Sequence, residues 1–239
     1  MDGYLKGKTI KELRDLAIEF NLKIPKNDTK TEIILNIINF FDKHPTYKKI
    51  KKLGNTGKDG IVYLVEGKNC KKYAMKTFKQ TKSLKKIELE YDLQKQASKY
   101  MISPRVKELN LEDKYIVMEK LDKHLTDVIE TQKGNLTIKQ QERLIDIYNK
   151  LDVCRVFHGD SNILNYMISD DNIIYIIDFG MSKPIDDKLK KTLKTDTPNL
   201  TLMTLGFVLK LKENNCPPSS YKYLLNYISN ENKIKFRLV

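Results

Sequence analysis

Along the first forty residues the apolar positions recur at helical spacing. Leu13, Leu16, Ala17 and Phe20 stand at i, i+3, i+4 and i+7, one stripe of a helix. Thr9 and Glu12 ahead of them form a capping box, in which each side chain satisfies the other residue's backbone donor. Residues 21–25 run to Pro25, which cannot continue that helix, so they predict an extended link. Thr29 and Glu32 repeat the box and open a second stripe of Ile33, Ile34, Ile37, Ile38 and Phe41, closed by His44 and Pro45. Two short helices bury little surface, so this module is marginal unless it docks on a neighbour.

From residue 47 the period changes. Ile50 to Leu53, residues 61–65 and residues 73–78 predict three strands. A helix is expected over about 83–100, and residues 106–111 and 114–119 follow as further strand-like runs. Ile138, Leu144, Ile145, Tyr148 and Leu151 mark a long helix, and 173–177 another strand. The fold class is α+β, with a helix-extension-helix module over 1–45 and a second domain over 46–239.

Charge alters this picture in one place. Lys and Arg number 44 against 31 acids, a net of +13, and Arg supplies only five. Residues 47–86 hold thirteen lysines against Asp59 and Glu66, a net of +11, so nearly all of the field comes from one segment. Lysine is a hydrated point charge that suits phosphates and reads bases poorly. Such a field concentrates a nucleotide, a nucleic acid or an acidic peptide. A solvated lysine-rich surface is an equal alternative.

Composition excludes several classes. A hydrophobic share of 40% is enough for a core and too much for a disordered tail. No run approaches the roughly 18 apolar residues of a membrane-spanning helix, and the start lacks the apolar segment of a secretory signal. Cys70, Cys154 and Cys216 are odd in number and lack metal-ligand spacing, which argues against a disulfide framework or a zinc site. The expectation is an intracellular chain, cytoplasmic or nuclear, without a membrane partner.

The candidate chemistry begins in the lysine-rich segment. Gly54, Gly57 and Gly60 lie between the first two strands, where a phosphate-covering turn needs conformational freedom and close backbone approach. Sixteen residues beyond Gly60, Lys76 follows Tyr73, Ala74 and Met75 in the third strand. In the next helix Glu88 and Glu90 point about 200° apart. Glu90 shares a face with Leu93 and Ala97 and is expected to look inward. Further on come His158, Gly159 and Asp160, then Asn165, then an apolar strand, then Asp178, Phe179 and Gly180.

This ordered set resembles the protein kinases. H-x-D-x-x-x-x-N, a strand and D-F-G match the kinase catalytic loop and magnesium loop in order and spacing, and Lys76 matches the lysine of V-A-I-K. The glycines resemble the kinase glycine loop with the first shifted by one residue, Val62 standing after Gly60 as its valine does. The resemblance covers about residues 47–210. It implies a two-lobed fold with an N-lobe over about 46–121 and a shortened C-lobe over 122–239. It implies ATP and Mg²⁺ as cofactors, with Asp160 orienting the acceptor hydroxyl and Asn165 and Asp178 as metal ligands. Lys76 would meet the phosphates, tethered by Glu90. Met118 would be the gatekeeper, and the backbone of Glu119 and Leu121 would bond adenine.

The departures narrow the likeness. Gly159 replaces the arginine of H-R-D, which argues against regulation by loop phosphorylation. Ser161 and Asn162 stand where Leu-Lys is usual, removing a lysine near the γ-phosphate, for which Lys183 is a candidate substitute. Leu205 and Gly206 resemble the S-L-G-x-x-L of the central C-lobe helix, with Thr201 at its usual aspartate position. Only 59 residues follow Gly180, too few for the full substrate platform. These traits resemble compact atypical kinases: the RIO kinases, the KEOPS-complex kinase and compact kinases of large DNA viruses.

The opening module resembles the SAP motif over about residues 4–41, with Asn21 where a glycine is usual. That likeness implies DNA or chromatin as a partner through 1–45, with Lys23, Lys26 and Lys30 near phosphates at the start of the second helix. A protein-docking helix pair is the alternative, favoured by a module charge of only +1. The function expected is a Mg-ATP-dependent serine/threonine-protein kinase acting on a protein substrate. The alternatives are a pseudokinase or nucleotide-binding scaffold, and a small-molecule phosphotransferase.

Overall fold

The computed structural model describes residues 2–19, 22–43, 47–54, 56–67 and 70–238. Phe20, Asn21, His44 and Pro45 fall outside the described residues, as does the side chain of Phe41. The chain divides into two compact units: Met1–Leu53 with Tyr63–Tyr73, and Gly54–Val62 with Ala74–Val239.

The first unit opens with three helices, α1 (Asp2–Lys6), α2 (Ile10–Glu19) and α3 (Lys30–Lys43). Both capping boxes form. Glu12 Oε2 accepts from the Thr9 N–H at 2.7 Å and hydroxyl at 2.8 Å, and Glu32 Oε2 does the same for Thr29 at 2.8 and 2.7 Å. The predicted stripes meet in a core of Leu5, Leu13, Ala17, Ile33, Ile34 and Ile37. α1 escapes the sequence pattern because five residues carry too little periodicity; Leu5 alone plugs the core. The extended link is fastened by Arg14, whose guanidinium donates to the carbonyls of Pro25 at 3.1 Å and Lys26 at 2.9 Å. β1 (Lys48–Leu53) follows, its lysines and Ile50 exposed. The far end of β2 (Gly60–Glu66) and the near end of β3 (Lys72–Phe78) complete the unit, with Tyr47 edge-on to Tyr73 and Lys49 over the Tyr63 ring.

In the second unit β3 is followed by α4 (Leu84–Ser98), β4 (Val106–Asn110) and β5 (Tyr115–Glu119). β3, β5 and β4 are neighbours in that order in the sheet. β4 and β5 are antiparallel, with Val106 opposite Met118 and Asn110 opposite Tyr115. Next come β6 (Lys123–His124), α5 (Leu125–Thr131), α6 (Ile138–Val153) and β7 (Val156–Phe157). α6 starts on a capping box of Thr137 and Gln140. β8 (Tyr166–Ile168) and β9 (Ile174–Ile176) are antiparallel, and β10 (Lys183–Pro184) pairs with β7. α7 (Asp187–Leu193), a π-helical turn over Asn199–Met203, α8 (Thr204–Glu213) and α9 (Asn230–Lys235) end the chain.

The core of this unit gathers α5, α6, β8, β9 and α8 around Leu144, Tyr148, Leu151, Tyr166, Phe179 and Phe207, all buried. Buried Gln141 of α6 ties the C-terminal turns down: it donates to the Ser219 carbonyl and accepts from the Tyr223 N–H. The mixed α+β architecture with an antiparallel sheet agrees with the class expected for a kinase-like domain.

Candidate active site

All the predicted catalytic residues belong to the second unit. Lys76 rises from β3 and Glu90 from α4, and Lys76 Nζ donates to Glu90 Oε1 at 2.5 Å. It also donates to Asp178 Oδ1 at 2.7 Å, across 102 residues of sequence. Glu90 is 2% exposed while Glu88 faces solvent. Burial disfavours the Lys76 ammonium, but the charges of Glu90 and Asp178 outweigh it and hold its pKa above the ordinary lysine value. Burial likewise pushes the Asp178 carboxyl up, and the Lys76 charge and hydrogen bond bring it below the ordinary value.

The catalytic loop and the D-F-G turn are bound through backbone. His158 is fully buried and its ring faces two carbonyls, Asp160 at 3.1 Å and Ile177 at 3.0 Å. Its ring also stands edge-on to Phe179, and burial lowers its pKa. The Ile177 N–H donates to the Asn165 carbonyl at 2.8 Å, which sets Asn165 beside the residue before Asp178. Asp160 stays half-exposed, with Oδ1 accepting the Asn162 N–H at 3.1 Å. Asp178 and Gly159 have left-handed backbones, φ 62° and 77°. At Gly159 an arginine would be strained, and its Cβ would lie 3.3 Å from the Met181 carbonyl.

The glycines divide by role. Gly54 has φ 67°, and Gly60 presses on β3 so closely that a Cβ would lie 2.1 Å from the Thr77 carbonyl. Gly57 needs neither freedom nor close approach; its N–H closes the turn onto the Gly60 carbonyl. Val62 is half-buried on β2. The Glu119 N–H is taken by the Arg105 carbonyl at 2.9 Å. Among the described residues no backbone hydrogen bond uses the Leu121 N–H. Met118 receives a contact from the Gln94 amide at 3.3 Å.

Thr201 does not take the aspartate's place. Its hydroxyl bonds back to the Thr197 carbonyl, and Asn199, two residues earlier, reaches the catalytic loop instead. Fully buried, Asn199 accepts the His158 N–H at 3.0 Å and donates to Asp152 Oδ1 at 2.7 Å and the Val156 carbonyl at 2.8 Å. Asp152 also accepts the N–H groups of Asn199 and Leu200; burial still holds its carboxyl above the ordinary value. Gly206 of α8 lies against the same loop, where a Cβ would stand 2.2 Å from Ser161 Oγ. Lys183 has its backbone paired with Phe157, and its side chain is exposed without an ion pair among the described residues.

Two groups escaped the sequence argument. Lys82 donates to Glu90 Oε2 at 2.7 Å and to Asp59 Oδ2 at 2.8 Å. Nothing in its spacing distinguishes Lys82 from twelve neighbouring lysines. Asp59 did carry a signal, as one of two acids in the segment and the one inside the glycine-rich turn. In the first unit Lys23 and Lys26 are exposed, while Lys30 Nζ donates to the Lys6 carbonyl at 2.9 Å. The Glu32 carboxylate already occupies the start of α3, where the DNA argument expected a phosphate.

The residues fit a nucleotide and a divalent cation. Both hydrogen bonds to the Asp178 carboxylate among the described residues fall on Oδ1, and the side chain is 51% exposed, so Oδ2 is a hard oxygen open to a cation. No curated protein matches the chain. The family model of the ABC1 atypical kinase-like domain matches residues 21–200, which span every predicted catalytic position described above. A chain that keeps these groups over that length belongs to the ABC1 atypical kinase-like domain family.

Proposed function

We propose that the chain is an ATP-dependent phosphotransferase, and in its specific form a serine/threonine-protein kinase. The observation that carries the proposal is Lys76, held between Glu90 at 2.5 Å and Asp178 at 2.7 Å beside a half-exposed Asp160. Glu90 and Asp178 keep the Lys76 ammonium charged and directed, so that it meets phosphate oxygens of ATP. The carbonyl of Glu119 and the N–H of Leu121 hold the adenine edge. Asp160 orients the acceptor hydroxyl and takes its proton as the new O–P bond forms and the bond to the β-phosphate oxygen breaks. Asn165 and Asp178 would hold Mg²⁺, which supplies charge neutralisation on the phosphates when bound.

A small-molecule acceptor is a second reading, left open because a match to an atypical kinase-like domain does not fix the class of the acceptor. DNA or chromatin is proposed as a partner of residues 1–45 through Lys23 and Lys26, tested by the salt dependence of duplex binding. The activity is tested with γ-labelled ATP and Mg²⁺, with the wild type beside Asp160→Asn and Asp178→Asn. Label on the chain or on a generic protein that vanishes in both variants supports the kinase. Label found only on members of a metabolite panel favours the second reading. ATP binding without transfer makes the chain a scaffold.

A further inference from the structure

The ion pairs of the site extend past Lys76. Asp59, Lys82, Glu90, Lys76 and Asp178 form a line of alternating charge, and Glu90 receives a different lysine on each carboxylate oxygen. The Lys82 side chain is 7% exposed, and its ammonium stands 4.7 Å from the centre of the Phe78 ring. Asp59 leaves the glycine-rich turn and reaches the D-F-G: a Cβ on Gly180 would lie 3.1 Å from Asp59 Oδ2 and 3.2 Å from Asp178 Oδ1. A carboxylate therefore hangs over the turn that faces the phosphates in the function proposed above. Carboxylate and phosphate repel at such range, so both cannot hold that place.

The catalytic loop also lacks its usual lysine. Asn162 stands where the catalytic loop lysine is usual, and exposed Lys183 is committed through its backbone to β10. Lys82 supplies a charge from another element, with its ammonium already aimed at an anion. We propose that Lys82 is a second phosphate-binding lysine of the nucleotide site, and that Asp59 holds its place until the terminal phosphate of ATP displaces it. The exchange asks little of the backbone. The Asp59 carbonyl accepts the Lys79 N–H at 2.9 Å, so the base of the turn stays and the carboxylate rotates away. Lys82 keeps Glu90 and replaces one oxygen anion with another. No covalent bond changes and no proton moves.

This inference rests on the site being a nucleotide site, and the test separates the two. MgATP and MgADP are titrated into the full chain by calorimetry, for the wild type, Lys82→Met, Lys82→Arg and Asp59→Asn. The expected result is about tenfold weaker ATP binding by Lys82→Met with a much smaller loss for ADP, since a charged hydrogen bond to the terminal phosphate is removed. Lys82→Arg restores part of that preference. Asp59→Asn binds ATP several-fold more tightly than the wild type. A wild type that binds neither nucleotide overturns the nucleotide site itself. A wild type that binds both, with Lys82→Met losing ATP and ADP alike, reduces Lys82 to a structural tether of Glu90 and overturns the proposal. Unchanged or weaker ATP binding by Asp59→Asn overturns the stand-in role. If Lys82→Met does not fold, Asp59→Asn decides alone, since it leaves both lysines in place.

Discussion

Asn199 accepts the backbone N–H of His158 at 3.0 Å, from 41 residues away in sequence, and so fastens the catalytic loop to the turn before α8. The same side chain donates to Asp152 at the end of α6 and to the Val156 carbonyl. One amide thus joins three segments.

Replacing Asn199 with alanine strands the buried His158 N–H and removes a donor from Asp152. Unsatisfied buried groups cost about 1–3 kcal/mol each, so urea unfolding should show a loss of that order or more. Asn199→Asp keeps the acceptor for His158 but sets a second carboxylate against Asp152, and is expected to be less stable at neutral pH than in mild acid.

Gly206→Ala would press a methyl group into Ser161. Overpacking of this kind costs about 1–3 kcal/mol, and here the displaced group neighbours Asp160. The variant should lose more transfer activity than stability. Adding Ser161→Gly restores the space, so a double-mutant cycle on kcat should show strong positive coupling.

The pH dependence follows from the Lys76 cluster. Asp178 has its pKa below the ordinary carboxylate value of about 3.9, so it contributes stability above that value and loses it as pH falls through the folded pKa. Lys76 is shifted up, so its contribution is present below about 10.4 and is lost as pH rises through the folded pKa. Urea midpoints followed from pH 5 down to pH 2 should fall more steeply for the wild type than for Asp178→Asn. Asp59, held low by the Lys82 hydrogen bond, adds to the same acid limb.

In the first unit, Arg14→Ala frees the carbonyls of Pro25 and Lys26. Amide hydrogen exchange over residues 22–28 should then accelerate, while α2 and α3 keep their protection. Arg14→Lys should not rescue it, because a single ammonium cannot reproduce the fork that bridges two carbonyls.

The chain's own order of residues determined a great deal. Capping boxes and stripes placed α2 and α3, because a helix end and a helix face are each written within a few neighbouring residues. The position of Glu90 on the Leu93 face was legible for the same reason. The ordered run of His158, Asp160, Asn165 and Asp178 was legible as chemistry. Some short elements were not: α1 and the strands β6, β7, β8 and β10 carry too few residues for a period to show, while β4, β5 and β9, no longer than α1, stood out as strand-like runs. Tertiary structure alone decided that Asn199 rather than Thr201 holds the catalytic loop, because a π-helical turn shifts which side chain points inward. It alone singled out Lys82, whereas the Glu32 carboxylate at the start of α3 follows from the capping box already legible in the sequence. A hydrogen bond or ion pair between distant segments depends on where the backbone brings two atoms within about 3 Å, and spacing along the chain does not encode that distance.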